Sequence, residues 1–221
     1  MNKVKIVSFE GNIGAGKTTL LNKLEKENTD PDIVFLREPV DEWEKISIMG
    51  ETIISKFYAD PEKYSFAFQI MAFTTRLKLV KDIIKNQPNV KLIICERSLE
   101  ADNEIFAKML YHDGLMDRHM YLIYKNHFNN SIEKEYQLSG MIYIKTLPVE
   151  CFNRIIKRNR VGEDKITLTY LEKCHKYHLD WISRFKKPIL HKSSNDKLHF
   201  DIYSFLQRLL LKNHCSWTES K

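Results

Sequence analysis

The feature that most constrains this chain is the segment EGNIGAGKTT at residues 10–19, which directly follows the β-branched run at residues 4–9. It fits the pattern G-x-x-x-x-G-K-[ST] in the strand, loop and helix context that this pattern requires. Glycines let such a loop turn its backbone N–H groups toward an anion, and the following helix adds the positive end of its dipole. The segment therefore predicts a binding loop for the phosphates of ATP or GTP. Its residues are Gly11, Asn12, Gly14, Ala15, Gly16, Lys17, Thr18 and Thr19.

Two side chains of this loop have expected roles. Lys17 is expected to reach the β- and γ-phosphates, and the Thr18 hydroxyl is expected to bind Mg²⁺. The loop alone does not separate kinases from GTPases or motor ATPases. A switch GTPase would be expected to carry D-x-x-G after its third strand and N-K-x-D for guanine, and the sequence contains neither.

Short β-branched runs alternate with longer segments of helical period along the chain. Strands are expected at residues 4–9, 33–36, 90–95, 141–145 and 188–191. Helices are expected at residues 17–27, 64–85, 98–111, 117–131, 148–157, 168–185 and 198–211. This alternation predicts an α/β fold with a five-stranded parallel sheet and helices on both faces, and ligands at the carboxyl ends of the strands.

The composition favours a single domain spanning residues 1–221, because 43% of the residues are apolar and 29% are charged. The net charge of +6 is spread among interspersed acids and bases, which indicates a solvated surface and no nucleic-acid partner. No apolar run reaches the ~18 residues of a membrane span, and the loop begins too near Met1 for a signal or transit peptide. We therefore expect a cytoplasmic or nuclear protein without a membrane partner. The tail at about 213–221 is polar and expected to be flexible.

The cysteines and two histidines give no metal signature. The cysteines lie far apart without a Cys-x-x-Cys pair, which predicts neither a disulfide framework nor a zinc site and fits a reducing compartment. They are Cys95, Cys151, Cys174 and Cys215. His175 and His178 lie three residues apart in a predicted helix, where we expect them on an exposed face.

Charged side chains follow two predicted strands at the points where those strands end. Glu38 comes shortly after the strand at 33–36, and Glu96 and Arg97 follow the strand at 90–95. Since both strand ends lie beside the phosphate loop in the predicted sheet, these side chains are expected to converge on a γ-phosphoryl group. One carboxylate would take the proton from an acceptor hydroxyl, the other would hold Mg²⁺ directly or through water, and Arg97 would steady the transferring group.

Three arginines, Arg154, Arg158 and Arg160, lie near the end of a predicted helix and in the loop after it. The first two share one helical face. We expect the segment at about 154–165 to close over the triphosphate as an arginine-rich lid that excludes water and supplies positive charge. The alternative is a basic, solvated helix end.

Five motifs follow one another along the chain: GNIGAGKTT, EPVDEW, FYADPEKYSFAFQ, ERSLEAD, and RNRVGED followed by YLEKCH. In this order they make the chain resemble the deoxyribonucleoside kinases of the deoxycytidine/deoxyguanosine kinase type. The resemblance covers about residues 3–191. It implies a P-loop kinase fold, Mg²⁺- and ATP-dependent phosphorylation of a deoxynucleoside 5′-hydroxyl in nucleotide salvage, and a homodimer formed through helices, for which the helix at 98–111 is a candidate.

The resemblance also implies roles for single residues. Glu38 matches the general base for the 5′-hydroxyl, Arg97 the arginine beside that hydroxyl and the phosphate, and Glu96 the carboxylate associated with Mg²⁺. Tyr58 and Glu163 match the pair that holds the 3′-hydroxyl, and the ring of Tyr58 crowds the 2′ position.

Base recognition is implied in the same way. Gln69 matches the glutamine that reads the base edge, and Trp43, Phe68 and Phe106 match the walls of the base slot. A flat base between aromatic faces, read by an amide that offers a donor and an acceptor, is also physically sensible. The three lid arginines fall where the family places phosphate-binding arginines.

Arg76 and Asp102 bear on the choice of nucleoside. Arg76 lies seven residues after Gln69, about two helical turns, so the two share a face together with the small Ala72. Arg76 and Asp102 match the arginine and aspartate of deoxycytidine and deoxyguanosine kinases, whereas thymidine-accepting relatives use apolar or small residues there. A base that leaves a buried charge pair unsatisfied costs on the order of 1–3 kcal/mol per lost partner. We therefore expect deoxyadenosine, deoxyguanosine or deoxycytidine to be preferred over thymidine.

Two rival functions remain open from the sequence. A nucleoside monophosphate kinase of the thymidylate kinase type shares the loop, sheet and lid, but Glu38 beside the acceptor would repel a phosphate. A non-catalytic kinase-like subunit would be expected to lack Lys17, Glu38 or Arg97, and all three are present.

Overall fold

The computed structural model describes residues 4–193 and 200–211. The strands in chain order are β1 (Lys5–Glu10), β2 (Ile33–Leu36), β3 (Ser47–Ile48), β4 (Glu51–Thr52), β5 (Leu92–Glu96), β6 (Gly140–Lys145) and β7 (Ile189–Ser193). β3 and β4 form a short antiparallel hairpin, and the other strands form one sheet in the order β2, β5, β1, β6, β7. All neighbours in this sheet are parallel. The predicted five-stranded parallel sheet is therefore confirmed.

Helices cover both faces of this sheet. In chain order they are α1 (Lys17–Glu27), α2 (Val40–Glu44), α3 (Ile53–Ala59), α4 (Pro61–Asn86), α5 (Leu99–Ala101), α6 (Lys108–His112), α7 (Arg118–Ser131), α8 (Pro148–Arg158), α9 (Leu168–Arg184) and α10 (Phe200–Leu211). Successive β1 residues point to opposite faces. Ile6 packs with Phe73 of α4 and Met109 of α6, whereas Val7 packs in a second core with Leu21 of α1. Full burial of each such side chain contributes about 1.5–3 kcal/mol to folding.

The strand register brings the functional loops to one edge. Phe9 of β1 lies opposite Glu96 of β5, and Leu36 of β2 lies opposite Cys95. Because the strands are parallel, their carboxyl ends meet at the same edge. The loops after β1, β2 and β5 are therefore neighbours.

The helix predicted at 98–111 is present, but its middle is π-helical. Ser98 caps its start by accepting a hydrogen bond from the Ala101 N–H at 3.1 Å, and the π-helical segment runs over Asp102–Ala107. Such segments often occur at functional sites. Phe106 and Met109 of this helix are buried in the chain's own core. These two side chains therefore pack within the chain, and the role of this helix in a dimer stays a prediction.

The region between β2 and α4 holds elements that the periodicity did not predict: α2, the β3–β4 hairpin and α3. Met49 and Gly50 at the hairpin tip both have positive φ, 52° and 82°, as a type I′ turn requires. The tip is Met-Gly, without the Asn-Gly or Asp-Gly signal. α4 also begins earlier than predicted, at Pro61, where Asp60 accepts a capping hydrogen bond from the Lys63 N–H at 3.3 Å.

His178 is not on an exposed face as expected but is fully buried in α9. Its Nδ1 lies 2.7 Å from the backbone oxygen of Cys174. Burial is the main cause that holds the pKa of His178 well below its ordinary value, so the imidazole is neutral. It is a core side chain.

Three cysteines of the described chain, Cys95, Cys151 and Cys174, are free and buried. Cys215, the predicted tail at 213–221 and the first two residues of the helix predicted at 198–211 lie outside the described residues. Among the described helices, none is both long enough and apolar enough to cross a membrane.

Candidate active site

The loop between β1 and α1 folds around its own lysine. Lys17 is buried, and its Nζ donates to the backbone oxygens of Gly11 at 3.1 Å and Asn12 at 2.8 Å. Burial lowers the pKa of Lys17 to about 8, and the charge of Arg97 lowers it further while nearby carboxylates oppose the change. The ammonium is thus held at the centre of the loop, where a phosphate can replace the carbonyl oxygens.

Two other residues of the phosphate loop, Asn12 and Ala15, hydrogen-bond to neighbouring elements and so hold the loop in this conformation. The Asn12 side chain donates to the backbone oxygen of Leu171 at 2.8 Å. The Ala15 backbone oxygen accepts from Thr146 at 3.1 Å and from Nη1 of Arg154 at 3.2 Å. These contacts tie the loop to α9, to the end of β6 and to α8.

Gly14 is required by its surroundings. Its φ is +77°, and a Cβ at this position would lie 2.6 Å from the backbone oxygen of Cys151 in α8. Any side chain would therefore push the loop away from α8.

Thr18 and Glu96 meet beside the loop. The Thr18 hydroxyl donates to Oε1 of Glu96 at 2.6 Å, which places a hydroxyl and a carboxylate oxygen together next to the phosphate loop. The described residues contain no cluster of three or more His, Cys, Asp or Glu side chains suited to a metal. Mg²⁺ is commonly held by one or two protein oxygens together with water and phosphate, so this pair fits Mg²⁺ bound with a nucleotide.

Arg97 is held in a strained turn by a residue that the sequence motifs did not single out. Arg97 has a φ of +67°, which is costly for a residue with a side chain. Its N–H donates to the Phe9 oxygen at 3.0 Å, and the next N–H, of Ser98, donates to Oε1 of the buried Glu10 at 2.9 Å. Glu10 precedes the first glycine of the loop pattern, so no motif pointed to it.

The guanidinium of Arg76 connects two carboxylates. Its Nη1 donates to both oxygens of Asp102 at 2.5 and 2.6 Å, and its Nη2 donates to Oε1 of Glu38. Nε of Arg97 lies 3.4 Å from the same Glu38 oxygen. Glu38 is therefore held by two arginines from different elements.

These contacts keep the side chains of Arg76, Glu38 and Asp102 charged. Burial acts to raise the pKa of Glu38, but the charges of Arg76, Arg97 and Lys17 outweigh it and lower the value to about 2. Burial also raises the pKa of Asp102, to about 6, while Arg76 opposes the increase. Both carboxyls are therefore ionised at pH 7, opposite a permanently charged Arg76.

An aromatic slot lies beside Arg76. Phe57 and Phe68 stack with ring centroids 4.5 Å apart, and Trp43 meets Phe68 edge-on at 5.5 Å. The Trp43 Nε1–H donates to the Thr75 hydroxyl at 2.9 Å, which fixes the indole. The slot thus has rigid, flat walls.

Some buried polar atoms of this site have no hydrogen-bond partner within the described residues. They are the acceptor Oε1 of Gln69 and the donors Nε of Arg76 and Nη1 of Arg97. Unpaired buried polar groups are costly, on the order of 1–3 kcal/mol each. Their arrangement therefore favours a ligand that brings both donors and acceptors.

Two of the three lid arginines, Arg158 and Arg160, converge on Glu163. Nε and Nη2 of Arg158 donate to Oε2 of Glu163 at 3.1 and 2.6 Å, and Nη1 of Arg160 lies 3.5 Å from Oε1. Burial, with a further contribution from the charge of Glu163, raises the pKa of Tyr58, so the phenol stays protonated. The lid begins in α8, and its Gly162 lies directly against Ser55 of α3.

A cavity of about 630 Å³ joins these parts. The predicted site residues that line it are Gly14, Gly16, Lys17, Thr18, Thr19, Glu38, Trp43, Tyr58, Phe68, Gln69, Arg76, Glu96, Arg97, Asp102, Phe106, Arg154, Arg158, Arg160 and Glu163. Gly11, Asn12 and Ala15 do not line it. Phe57 and Tyr170 line it without having been predicted; Tyr170 lies in YLEKCH and meets the Tyr58 ring edge-on at 6.0 Å.

The comparisons with known proteins agree with this geometry. The family model for deoxynucleoside kinases matches residues 7–208. A probable deoxycytidine kinase of fowlpox virus is 36% identical, over 84% of this chain and 77% of the relative. Human deoxycytidine kinase is 33% identical, over 81% and 76%, and mitochondrial deoxyguanosine kinase of Xenopus laevis is 31% identical, over 82% and 74%. This chain therefore belongs to the deoxynucleoside kinase family and is a phosphotransferase of the P-loop kinase fold.

Proposed function

We propose that this enzyme transfers the γ-phosphoryl group of ATP to the 5′-hydroxyl of deoxyadenosine, deoxyguanosine or deoxycytidine, and that it uses thymidine poorly. One observation carries the proposal: a single cavity is lined by the phosphate loop, by the pair Glu38 and Arg97, and by an aromatic slot with the charged pair Arg76 and Asp102. Such a cavity suits a triphosphate, a hydroxyl acceptor and a polar base.

The chemistry assigned to Glu38 is the removal of a proton. The 5′-oxygen forms a bond to the γ-phosphorus, the bond from that phosphorus to the bridging oxygen of ADP breaks, and the hydroxyl proton passes to Glu38. A carboxylate with a pKa near 2 is a weak base. Because phosphoryl transfer proceeds through a loose transition state, positioning of the hydroxyl and neutralisation of charge matter more than base strength.

Cations around the transferring group stabilise the charge that develops there. Lys17 lies at the centre of the phosphate loop, and Arg97 lies within 3.4 Å of Glu38. The side chains that would hold Mg²⁺ are Thr18 and Glu96, and the ion would supply charge neutralisation at the triphosphate. Arg154, Arg158 and Arg160 line the same cavity and add further positive charge.

We assign the sugar to Tyr58 and Glu163. A protonated phenol and a buried carboxylate offer one donor and one acceptor, which a 3′-hydroxyl can satisfy together. The ring of Tyr58 packs against two other rings: its centroid lies 4.9 Å from that of Phe57, and Tyr170 meets it edge-on. This fixed ring supports the exclusion of a 2′-hydroxyl.

The base preference rests on the polar groups of the slot, of which the Gln69 oxygen and Nε of Arg76 have no hydrogen-bond partner among the described residues. The Gln69 oxygen and the Asp102 carboxylate accept hydrogen bonds, so they favour a base that carries an exocyclic amino group, which adenine, guanine and cytosine have and thymine lacks. The thymine methyl group, pointed at Arg76 and Asp102, would leave Nε of Arg76 without an acceptor and would offer Asp102 no donor beyond Arg76. Each lost partner costs about 1–3 kcal/mol, which favours the other three bases.

We also propose a homodimer and a cytoplasmic location. Leu122 and Ile123 of α7 are 54% and 56% exposed, and α7 packs beside α4, where Thr74 lies 3.4 Å from His127. Two large exposed apolar side chains on one helix support burial against a second copy. The buried, free cysteines are compatible with a reducing compartment.

The test is transfer of labelled γ-phosphate from ATP with Mg²⁺ to each of the four deoxynucleosides, the four ribonucleosides and the deoxynucleoside monophosphates. We expect labelled 5′-monophosphates from deoxyadenosine, deoxyguanosine or deoxycytidine, with less from thymidine and from ribonucleosides. Labelled diphosphates would point to a monophosphate kinase. No transfer to any acceptor would point to a non-catalytic subunit.

A further inference from the structure

Glu163 has more partners than a ligand of the sugar needs. The carboxylate is buried, with 8% of its side chain exposed, and it accepts hydrogen bonds from Arg158 and lies within ion-pair distance of Arg160. Both arginines remain partly exposed and line the cavity. The residue assigned to the 3′-hydroxyl therefore also holds the cations assigned to the triphosphate.

The donor sets of the two arginines leave room for a phosphate. Arg158 uses its Nε and Nη2 on one oxygen of Glu163, and Arg160 uses Nη1 on the other. These contacts occupy only part of each guanidinium, so further N–H groups can bind an anion. Glu163 thus fixes the guanidinium planes without using up their donors.

The lid is also packed onto the sugar-binding helix. Gly162 has a φ of +86°, and a Cβ there would lie 2.9 Å from Cα of Ser55 in α3. Tyr58 lies one helical turn further along α3. The backbone that carries Glu163 and the helix that carries Tyr58 are therefore in direct contact.

We propose that Glu163 is a positioning residue through which the 3′-hydroxyl of the deoxynucleoside orders the lid arginines, so that binding of the nucleoside strengthens binding of ATP. A 3′-hydroxyl that donates to Glu163 holds the carboxylate, and the carboxylate in turn holds Arg158 and Arg160 in place for the phosphates. The ordering of these long side chains is then complete before ATP binds. By linkage, ATP strengthens nucleoside binding by the same factor. The inference rests on the proposed function of the site.

The experiment measures the dissociation constant of the magnesium complex of the β,γ-imido analogue of ATP by calorimetry. This dissociation constant is measured without nucleoside, with saturating 2′-deoxycytidine and with saturating 2′,3′-dideoxycytidine. If the guanine nucleosides bind more tightly, 2′-deoxyguanosine and 2′,3′-dideoxyguanosine are used instead. Because each nucleoside is saturating, its own affinity does not enter the comparison. The comparison of the two nucleosides needs no protein variant.

We expect the deoxynucleoside to tighten the binding of the ATP analogue about tenfold, within the range typical of coupled sites. The dideoxynucleoside should tighten it less than about twofold by the same reasoning. In the Glu163→Gln variant, both nucleosides should tighten the binding of the ATP analogue only weakly and by the same factor. Asp164→Asn, which changes the neighbouring exposed carboxylate, should behave like the unaltered protein.

Equal tightening by the two nucleosides in the unaltered protein would overturn the inference and leave the proposed function intact. A difference between the nucleosides that persists in Glu163→Gln would overturn it as well. Binding of a deoxynucleoside monophosphate, with no binding of any deoxynucleoside, would instead overturn the proposed function and this inference together.

Discussion

Arg76 donates a hydrogen bond to Glu38, so the arginine assigned to base recognition also binds the carboxylate assigned to proton transfer. Arg76 comes from α4, whereas Glu38 follows β2. Removal of the cation would change the electrostatics of the reacting group as well as the base slot. The two roles proposed for these residues are therefore linked through one guanidinium.

Glu38→Gln should abolish most of the activity. The amide keeps the shape of the side chain but cannot accept the 5′-hydroxyl proton, so we expect kcat to fall by about 10²- to 10⁴-fold, the usual contribution of a general base. Steady-state kinetics with labelled ATP measure the change. The matched control is Glu42→Gln in α2, an exposed acid whose substitution should leave kcat unchanged; equal effects of both variants would contradict the assignment.

The double substitution Arg76→Met with Asp102→Ala should move base preference toward thymidine. It removes the polar groups for which the thymine methyl group offers no partner, and we expect the kcat/KM ratio of thymidine to deoxycytidine to rise by about tenfold or more, from 1–3 kcal/mol. Competition assays with the four deoxynucleosides give the ratio. An unchanged ratio in a folded double variant would argue against a role in recognition.

The same double variant should also change the acid limb of the pH profile. Arg76 is the largest of the charges that lower the pKa of Glu38 to about 2, so its removal should raise that pKa. Glu38 of the unaltered protein stays ionised as the pH falls to about 3, whereas Glu38 of the variant should take up a proton at a higher pH. The kcat/KM profile between pH 3 and 6, measured in the range where the fold is retained, tests the direction.

Lys17 should produce a basic limb near pH 8 in kcat/KM for ATP. Its pKa is lowered to about 8, so the ammonium loses its proton as the pH rises through this value and phosphate binding weakens. Bound triphosphate adds negative charge and raises the pKa again, so kcat should stay flat to higher pH. A basic limb in kcat at the same pH as in kcat/KM would show that another group titrates.

Glu10→Ala should lower both stability and kcat, whereas Glu10→Gln should lose less of each. The alanine leaves the buried Ser98 N–H without its acceptor, at a cost of about 1–3 kcal/mol, and releases the turn that holds Arg97. The glutamine still offers an oxygen. Urea unfolding and single-turnover kinetics would separate the two effects; equal losses in both variants would mean that the hydrogen bond to Ser98 is not what matters.

The joint substitution Leu122→Glu and Ile123→Glu should yield monomers, because charges at a buried helical face prevent association. Sedimentation velocity measures the change. The matched control is Leu179→Glu on α9, where a leucine is similarly exposed at 46%. A control variant that is equally monomeric would place the interface elsewhere.

Several parts of the fold and site followed from local sequence. The motif at residues 10–19 predicts phosphate binding without any information from the rest of the chain. The alternation of strands with helices predicted a parallel sheet, and the register of that sheet places Glu96 beside the loop. The helical period also placed Gln69 and Arg76 on one face of α4, and both are buried there. Periodicity works in these cases because each burial pattern repeats within one element.

Other features depended on contacts between distant elements, which periodicity does not report. The role of Glu10 appears only because the turn after β5 places the Ser98 N–H within 2.9 Å of it. The burial of His178 and the hairpin tip at Met49 likewise reflect packing and backbone geometry, not composition. The contacts of Arg76 with Glu38, and of Glu163 with Arg158 and Arg160, depend on the positions of the charged ends of side chains that come from different elements. The sequence by itself thus determined the fold class and most of the residues that line the cavity, whereas the tertiary structure decided which charges are paired, because pairing depends on distances between side chains from different elements.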